Sequence, residues 1–204
     1  MIPTVLQHRP PAPSKLKILD VADRLFYSQG IHTIGVDRII TEAQVTKATF
    51  YKHYRSKDLL IVAYVEGRHL RTKYLVDEAR AQLCDPADVL RALAALIGRT
   101  ATRPGFHGCP FINAAAQFGD AEHPVRTAVG RHRTWERALI TELVTELGHP
   151  DRDDAVDDLI LFRDGALSGS NVGDPVLAHR ALARAVERVI AEADSGTATI
   201  RLTA

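Results

Sequence analysis

Apolar residues recur at helical spacing from Ser14 to about Ala193, and no run alternates strictly for long enough to make a strand. The pattern predicts an all-α protein of about nine helices. Ser14 stands as the cap of a first helix with the apolar face Ile18, Leu19, Ala22, Leu25 and Phe26, and Gly30 sits where that helix should stop. Val36, Ile39, Ile40 and Ala43 mark a second helix of about two turns. Thr46 can accept a hydrogen bond from the backbone of Ala48 or Thr49, which makes it the N-cap of a third helix running to about Tyr54. Ser56 then caps a long helix over roughly 57–83, in which Leu59, Leu60, Ala63, Tyr64, Leu70 and Tyr74 can face neighbours.

Further along, Asp85-Pro86 reads as an N-cap followed by proline at the first helical position, opening a helix through Val89, Leu90, Leu93, Leu96 and Ile97. Two glycines and two prolines make 103–111 a loop into a short helix over 112–118. Pro124 opens a long helix carrying Trp135, and Gly148 and Pro150 close it. The last two helices have Val156, Leu159, Ile160, Ala166 and Leu167 in line on one, and Ala178, Leu182, Ala185 and Val189 on the other. Both are rich in small residues, which let helices approach closely. Close packing inside one subunit is one reading of that texture. The other is a four-helix interface with a second copy, through Leu159, Ala166, Gly169, Ser170, Ala178, Leu182, Ala185 and Val189.

With 204 residues, 46% of them hydrophobic and 25% charged, the chain can bury a core of ordinary globular composition. The net charge of +1 conceals an asymmetry: residues 1–57 hold nine Lys or Arg against four Asp or Glu, and the remainder 17 against 21. Cys84 and Cys109 are the only cysteines and form no CxxC pair, so a reducing, cytoplasmic protein is expected. No apolar run approaches the ~18 residues of a membrane span, and no membrane partner is expected. Pro10, Pro11 and Pro13 suggest an extended arm over 1–13.

The basic charge gathers where the second and third helices meet. Between Ala43 and Lys57 there is no acid, while Lys47, Lys52, Arg55 and Lys57 supply four positive charges, with Tyr51 and His53 as hydrogen-bonding groups between them. Two short amphipathic helices around a tight turn, followed by such a field, have the form of a helix-turn-helix reader of double-stranded DNA. Residues 15–57 also resemble the tetracycline repressor family of bacterial transcription regulators. The resemblance rests on Ala22, Leu25, Phe26 and Gly30 in the first helix, VDRI at 36–39, and VTKATFYKHYRSKDLL at 45–60. Weaker echoes are GCPFINAAAQF at 108–118, HPVR at 123–126 and LFRDGALSGSNVGDP at 161–175.

That resemblance implies a three-helix DNA-binding head over 14–57, a helical ligand-binding and dimerisation body over 58–193 and a tail over 194–204. The implied action is that of a homodimeric repressor released from a palindromic operator by a small-molecule effector. Carried over position by position, Thr46, Lys47, Thr49 and Lys52 would face the major groove, Ala48 would offer its methyl to a base, and Tyr51, His53 and Lys57 would hold phosphates. Two positions depart from the family pattern. Gln44 replaces the usual turn glycine, and Gly35 replaces a hydroxyl cap that meets a phosphate, leaving Thr33 as its substitute.

In the body, Phe106, Phe111, Asn113, Phe118, Trp135 and Phe162 are the effector-pocket candidates, since such pockets are mainly apolar with a few polar groups. Asp164 beside Arg163 can be an intersubunit ion pair or a pocket wall. His107 and Cys109, with His69, His123 or His132, could make a metal or redox sensor, but no CxxC or HxxxH spacing supports a metal, and none is expected. No GxSxG, phosphate loop or HExxH is present, so neither catalysis nor a cofactor is expected. A helix-turn-helix serving protein contacts is the remaining alternative.

Overall fold

The structure is a computed structural model; it describes residues 11–202, with side chains described through residue 195. Among the described residues the chain is all-helical: α1 (Pro13–Gln29), α2 (Val36–Ala43), α3 (Lys47–His53), α4 (Lys57–Gln82), α5 (Pro86–Ala101), α6 (Pro110–Ala116), α7 (Pro124–Glu146), α8 (Arg152–Val172) and α9 (Pro175–Leu202). It divides into two compact units, one ending at Tyr64 and the other beginning at Val65. The division falls inside α4, seven residues beyond the expected boundary at 57.

The first unit is built on the apolar faces that the periodicity marks. Ile18, Ala22, Leu25 and Phe26 of α1 are buried with Ile31, Ile34, Ile39, Ala43, Phe50, Tyr54, Leu60 and Ile61. The Phe26 and Tyr64 rings meet edge to face at 5.8 Å. In the second unit α8 packs on α9, α5 on α9 and α7 on α8. Its core joins Leu90 and Ala94 of α5, Leu139 and Leu143 of α7, Val156 and Leu159 of α8, and Leu182 and Val189 of α9. α5 and α9 approach closely at Gly98, where any Cβ would collide with the His179 ring.

Several boundaries differ from expectation. Proline, not serine, starts α1: Ala12 is the N-cap and Pro13 takes the first helical position, where its missing N–H costs nothing. Ser14 is therefore inside the helix. Most of the expected arm, 1–10, lies outside the described residues. The short helix α6 begins at Pro110, two residues early, again with proline in its first turn. The tail expected over 194–204 is instead a continuation of α9 to Leu202.

The small-residue helices carry the main correction. Leu159, Ala166, Ser170, Leu182, Ala185 and Val189 are already buried in a single chain, and a Cβ on Gly169 would sit 3.8 Å from the Ala178 methyl. The face assigned to a dimer packs α8 against α9 within the subunit, because small side chains allow that approach. What stays open on these helices is a different set: Leu161 (68% exposed), Val172 (86%), Val176 (48%) and Leu177 (60%).

Candidate nucleic-acid interface

The turn between α2 and α3 is set by backbone hydrogen bonding around one unusual residue. Gln44 adopts φ 53°, ψ 46°, the left-handed conformation that closes α2. Its N–H donates to the Thr41 carbonyl (3.1 Å) and the N–H of Val45 to the Ile40 carbonyl (3.2 Å), the paired bonds of a Schellman motif. Thr46 follows at once as N-cap, its hydroxyl accepting from the Thr49 N–H at 3.1 Å and lying 2.9 Å from the Thr49 hydroxyl. Gln44 carries this geometry without glycine's freedom. Gln44→Gly is therefore expected to stabilise the head by about 0.5–1 kcal/mol. A melting temperature that fell would mean that the Lys17–Gln44 side-chain bond (3.1 Å) outweighs the backbone relief.

α3 divides cleanly into a buried side and an open one. Phe50 is 0% exposed and Tyr54 4%, whereas Thr46, Lys47, Ala48, Tyr51 and Lys52 are exposed and Thr49 and His53 are half-buried. The outer face of the helix is open to solvent, while its inner face is held by the core. Further contacts fix it from α1, 39 residues away: Ser14 Oγ lies 2.7 Å from His53 Nε2, and the Tyr54 hydroxyl donates to the Lys15 carbonyl at 3.3 Å. Residues so far apart leave no signal in local spacing. Arg24 and Arg38 both bond Glu42 of α2 and hold its carboxyl below its usual range.

The cations differ in how free they are. Lys47 faces Asp37 only loosely, at 3.9 Å between two exposed groups, a pair worth little in water. Lys57 lies over the Phe26 ring at 6.0 Å, and partial burial lowers its pKa from the ordinary lysine value. The residue opens α4. Gly35 caps α2 without a side-chain bond, as expected of glycine. The Thr33 hydroxyl is exposed but bonds the Gln29 (2.5 Å) or Gly30 (2.9 Å) carbonyl, so a phosphate contact there has to compete with an internal partner.

In the second unit the six pocket candidates are spread out. Phe111 lines a cleft of ≈ 450 Å³ between α6, α7 and α8, and Trp135 lines another between α4 and α7. Phe118 is buried and stacks on His123 at 4.3 Å, Phe162 lies under Arg188 at 5.5 Å, and Asn113 donates to the His107 carbonyl at 2.6 Å. Phe106 is half-buried in the loop before α6. Asn113 thus braces a loop, and Phe162 borders the core.

A polar cluster not legible from spacing lies beneath Phe111. His132 is 0% exposed, stacked on Phe111 with ring centroids 3.4 Å apart, and its Nδ1 is 3.1 Å from that of His69. Burial, followed by the charges of Arg163, His69 and Arg133, pushes its pKa down to about 3. Beside it, Arg163 pairs with Glu136 (2.9 Å) and Asp164 (2.6 Å), and Arg133 with the same two carboxylates (2.9 and 2.7 Å). Asp164 is thus an intrachain partner. Burial raises the Glu136 pKa even among these cations. Cys109 is buried with its Sγ 3.7 Å from Arg163 Nη1. Among the described residues no three His, Cys, Asp or Glu side chains converge as metal ligands would.

Residues 18–64 match the family of bacterial regulatory proteins of the tetR type. A crystallised TetR-family transcriptional regulator from Streptomyces coelicolor is 38% identical, with a TM-score of 0.85 over 88% of this chain and 95% of that one. A helix-turn-helix transcriptional regulator of Mycobacterium tuberculosis is 33% identical over 160 residues, 68% of this chain and 77% of that protein. The reduced form of NemR from E. coli shares the fold, with a TM-score of 0.74 at 18% identity over 87% of this chain and 96% of that one. An exposed, acid-free recognition helix on a buried Phe50, within a segment that carries the family's pattern, places this chain in the TetR family of DNA-binding transcriptional regulators.

Proposed function

We propose that the protein is a ligand-responsive repressor that binds a palindromic operator as a homodimer and leaves it when a small molecule occupies the body. The observation that carries the DNA half is the outer face of α3, where Thr46, Lys47, Ala48, Thr49, Tyr51 and Lys52 project from a helix anchored by Phe50. Lysine can meet guanine O6 and N7, threonine can bond base edges or phosphate, and a phenol is a fixed phosphate donor. Tyr51, His53 and Lys57 hold phosphates in this reading, with Thr33 a weaker contributor. A three-helix reader alone covers few base pairs. A two-fold axis would set two copies of α3 into successive major grooves about 34 Å apart.

The open apolar residues Leu161 and Val172 on α8, with Val176 and Leu177 on α9, support dimerisation through the outward faces of these helices. The clefts beside Phe111 and Trp135 support a sensing role for the body. An effector would act by favouring one relation between the two heads, with α4, continuous from Lys57 to Gln82, as the coupling element. A thermal-shift screen of small apolar compounds tests that role. Compounds that stabilise the protein without changing DNA affinity would count against it.

Selection from a random duplex pool tests the DNA-binding mode and is expected to return a palindrome. On that site, Tyr51→Phe and Lys57→Ala should weaken binding to selected and unselected DNA alike. Lys52→Ala should also reduce discrimination, by about 1–3 kcal/mol if it reads a base. Unchanged affinity in all three variants would remove α3 from the interface.

A further inference from the structure

The cleft between α6 and α7 has a chemistry more specific than a generic apolar pocket. One wall is the α6 face of Phe111, Ile112 and Ala115; the other is the α7 face on which Arg126, Gly130 and Arg133 recur at i, i+4 and i+7. The two arginines are thus about 10 Å apart along the helix, and they are not equivalent. Arg133 is ion-paired, with Nη1 on Glu136 and Asp164 and Nη2 on Asp164, so that end carries neutralised charge rather than a free one. Arg126 donates through Nη1 to the Ala115 carbonyl at 3.1 Å, which fixes its guanidinium at the cleft. Among the described residues it has no carboxylate partner, and its other donors are unused.

Between these ends the wall is nearly bare. A Cβ built on Gly130 would meet nothing within 4 Å, so the middle of this wall faces open space, with Val129 and Phe111 beside it. One unneutralised, oriented guanidinium at the end of an apolar trough of ≈ 450 Å³ is complementary to one class of small molecule. We propose that this cleft binds a monocarboxylate on a short apolar body, with Arg126 as the anchor of the carboxylate. The second end does not favour a dicarboxylate, because the Arg133 charge is already paired with Glu136 and Asp164, and Asp164 would repel it. As the effector site, the cleft rests on the sensor reading above; as a binding site it stands alone.

Octanoate is a suitable probe, with octylammonium and octanol as controls matched in chain length, each titrated into the full-length protein by calorimetry and thermal shift. Octanoate should bind and raise the melting temperature with concentration, and the two controls should not. Arg126→Gln should weaken octanoate at least about tenfold. Gly130→Leu should abolish binding by filling the trough while leaving the unliganded melting temperature no lower, since leucine is the better helix former and a Cβ at that position meets nothing within 4 Å. Equal binding of octylammonium or octanol, or retention of octanoate by both variants, would overturn the proposal, as would no octanoate binding at all. In that last case the sensor reading still stands or falls on the compound screen. Octanoate binding that both variants lose, with DNA affinity unchanged, would support the site and count against the sensor reading.

Discussion

Phe50→Ala is expected to cost the head about 3–5 kcal/mol, the usual range for emptying a buried aromatic site, and to abolish DNA binding with it. Phe50 is completely buried, its ring edge to face with Tyr51 at 5.2 Å and tilted against Tyr54 at 6.3 Å, so its loss opens a cavity directly under the reading face. Whole domains are stable by only about 5–15 kcal/mol, and a head of some fifty residues belongs at the lower end. The second unit has its own core and should keep its helical signal. Urea unfolding followed by circular dichroism should therefore separate into an early transition for the head and a later one for the body. An unchanged denaturation curve together with wild-type DNA affinity would show that Phe50 does not hold α3 in place.

Acid should destabilise the body through His132. The folded state holds this imidazole neutral down to about pH 3, whereas an unfolded chain protonates it near the ordinary histidine value of 6.5. Between those values the unfolded state binds the extra proton, so stability is full above the unfolded pKa and falls as pH drops toward the folded one. The slope approaches about 1.4 kcal/mol per pH unit where the difference is complete. Carboxylates contribute to acid unfolding as well, which makes the variant the informative comparison. His132→Leu should flatten the pH dependence between 6.5 and 4 relative to the parent protein. Parallel curves would mean that the buried ring takes up its proton without unfolding.

The head was far more legible in the sequence than the body, for physical reasons that particular residues make plain. Thr46, Ser56 and Asp85 each cap the helix that spacing assigns to them, because an N-cap bond depends on residues two or three positions away. The turn at Gln44 is marked by the resemblance, which implies a glycine at that position, and Gln44 adopts the left-handed conformation there. The same local logic misplaced the start of α1, where Ser14 competes with a proline that sits more favourably at the first helical position. Ser14 instead reaches His53, a contact over 39 residues that no periodicity contains.

In the body, composition pointed to α8 and α9 but not to which of their faces is spent inside the chain. Small residues permit close approach by either partner, and burial of Leu159, Leu182 and Val189 within one subunit leaves Leu161 and Val172 as the open side. The aromatic residues chosen as a pocket share a chemistry but not a place. Arg126 attracts no notice in a chain of 26 Lys and Arg, and becomes distinctive only when Arg133 is seen to be neutralised and Arg126 is not.

The most direct test of α3 as the DNA-reading element is the salt dependence of binding to the selected duplex, in the parent protein and in Lys52→Ala and Lys57→Ala. Neutralised phosphates release counterions, so the logarithm of the association constant should fall linearly with the logarithm of salt concentration. Each substitution that removes a phosphate contact should lessen the slope by roughly 0.9. A steep slope in the parent protein that diminishes in Lys57→Ala, which loses a phosphate contact, and less in Lys52→Ala, which loses a base contact, is the predicted result. Binding that ignores salt, or a slope that neither substitution changes, would contradict the assignment of α3 and the start of α4 to the DNA backbone.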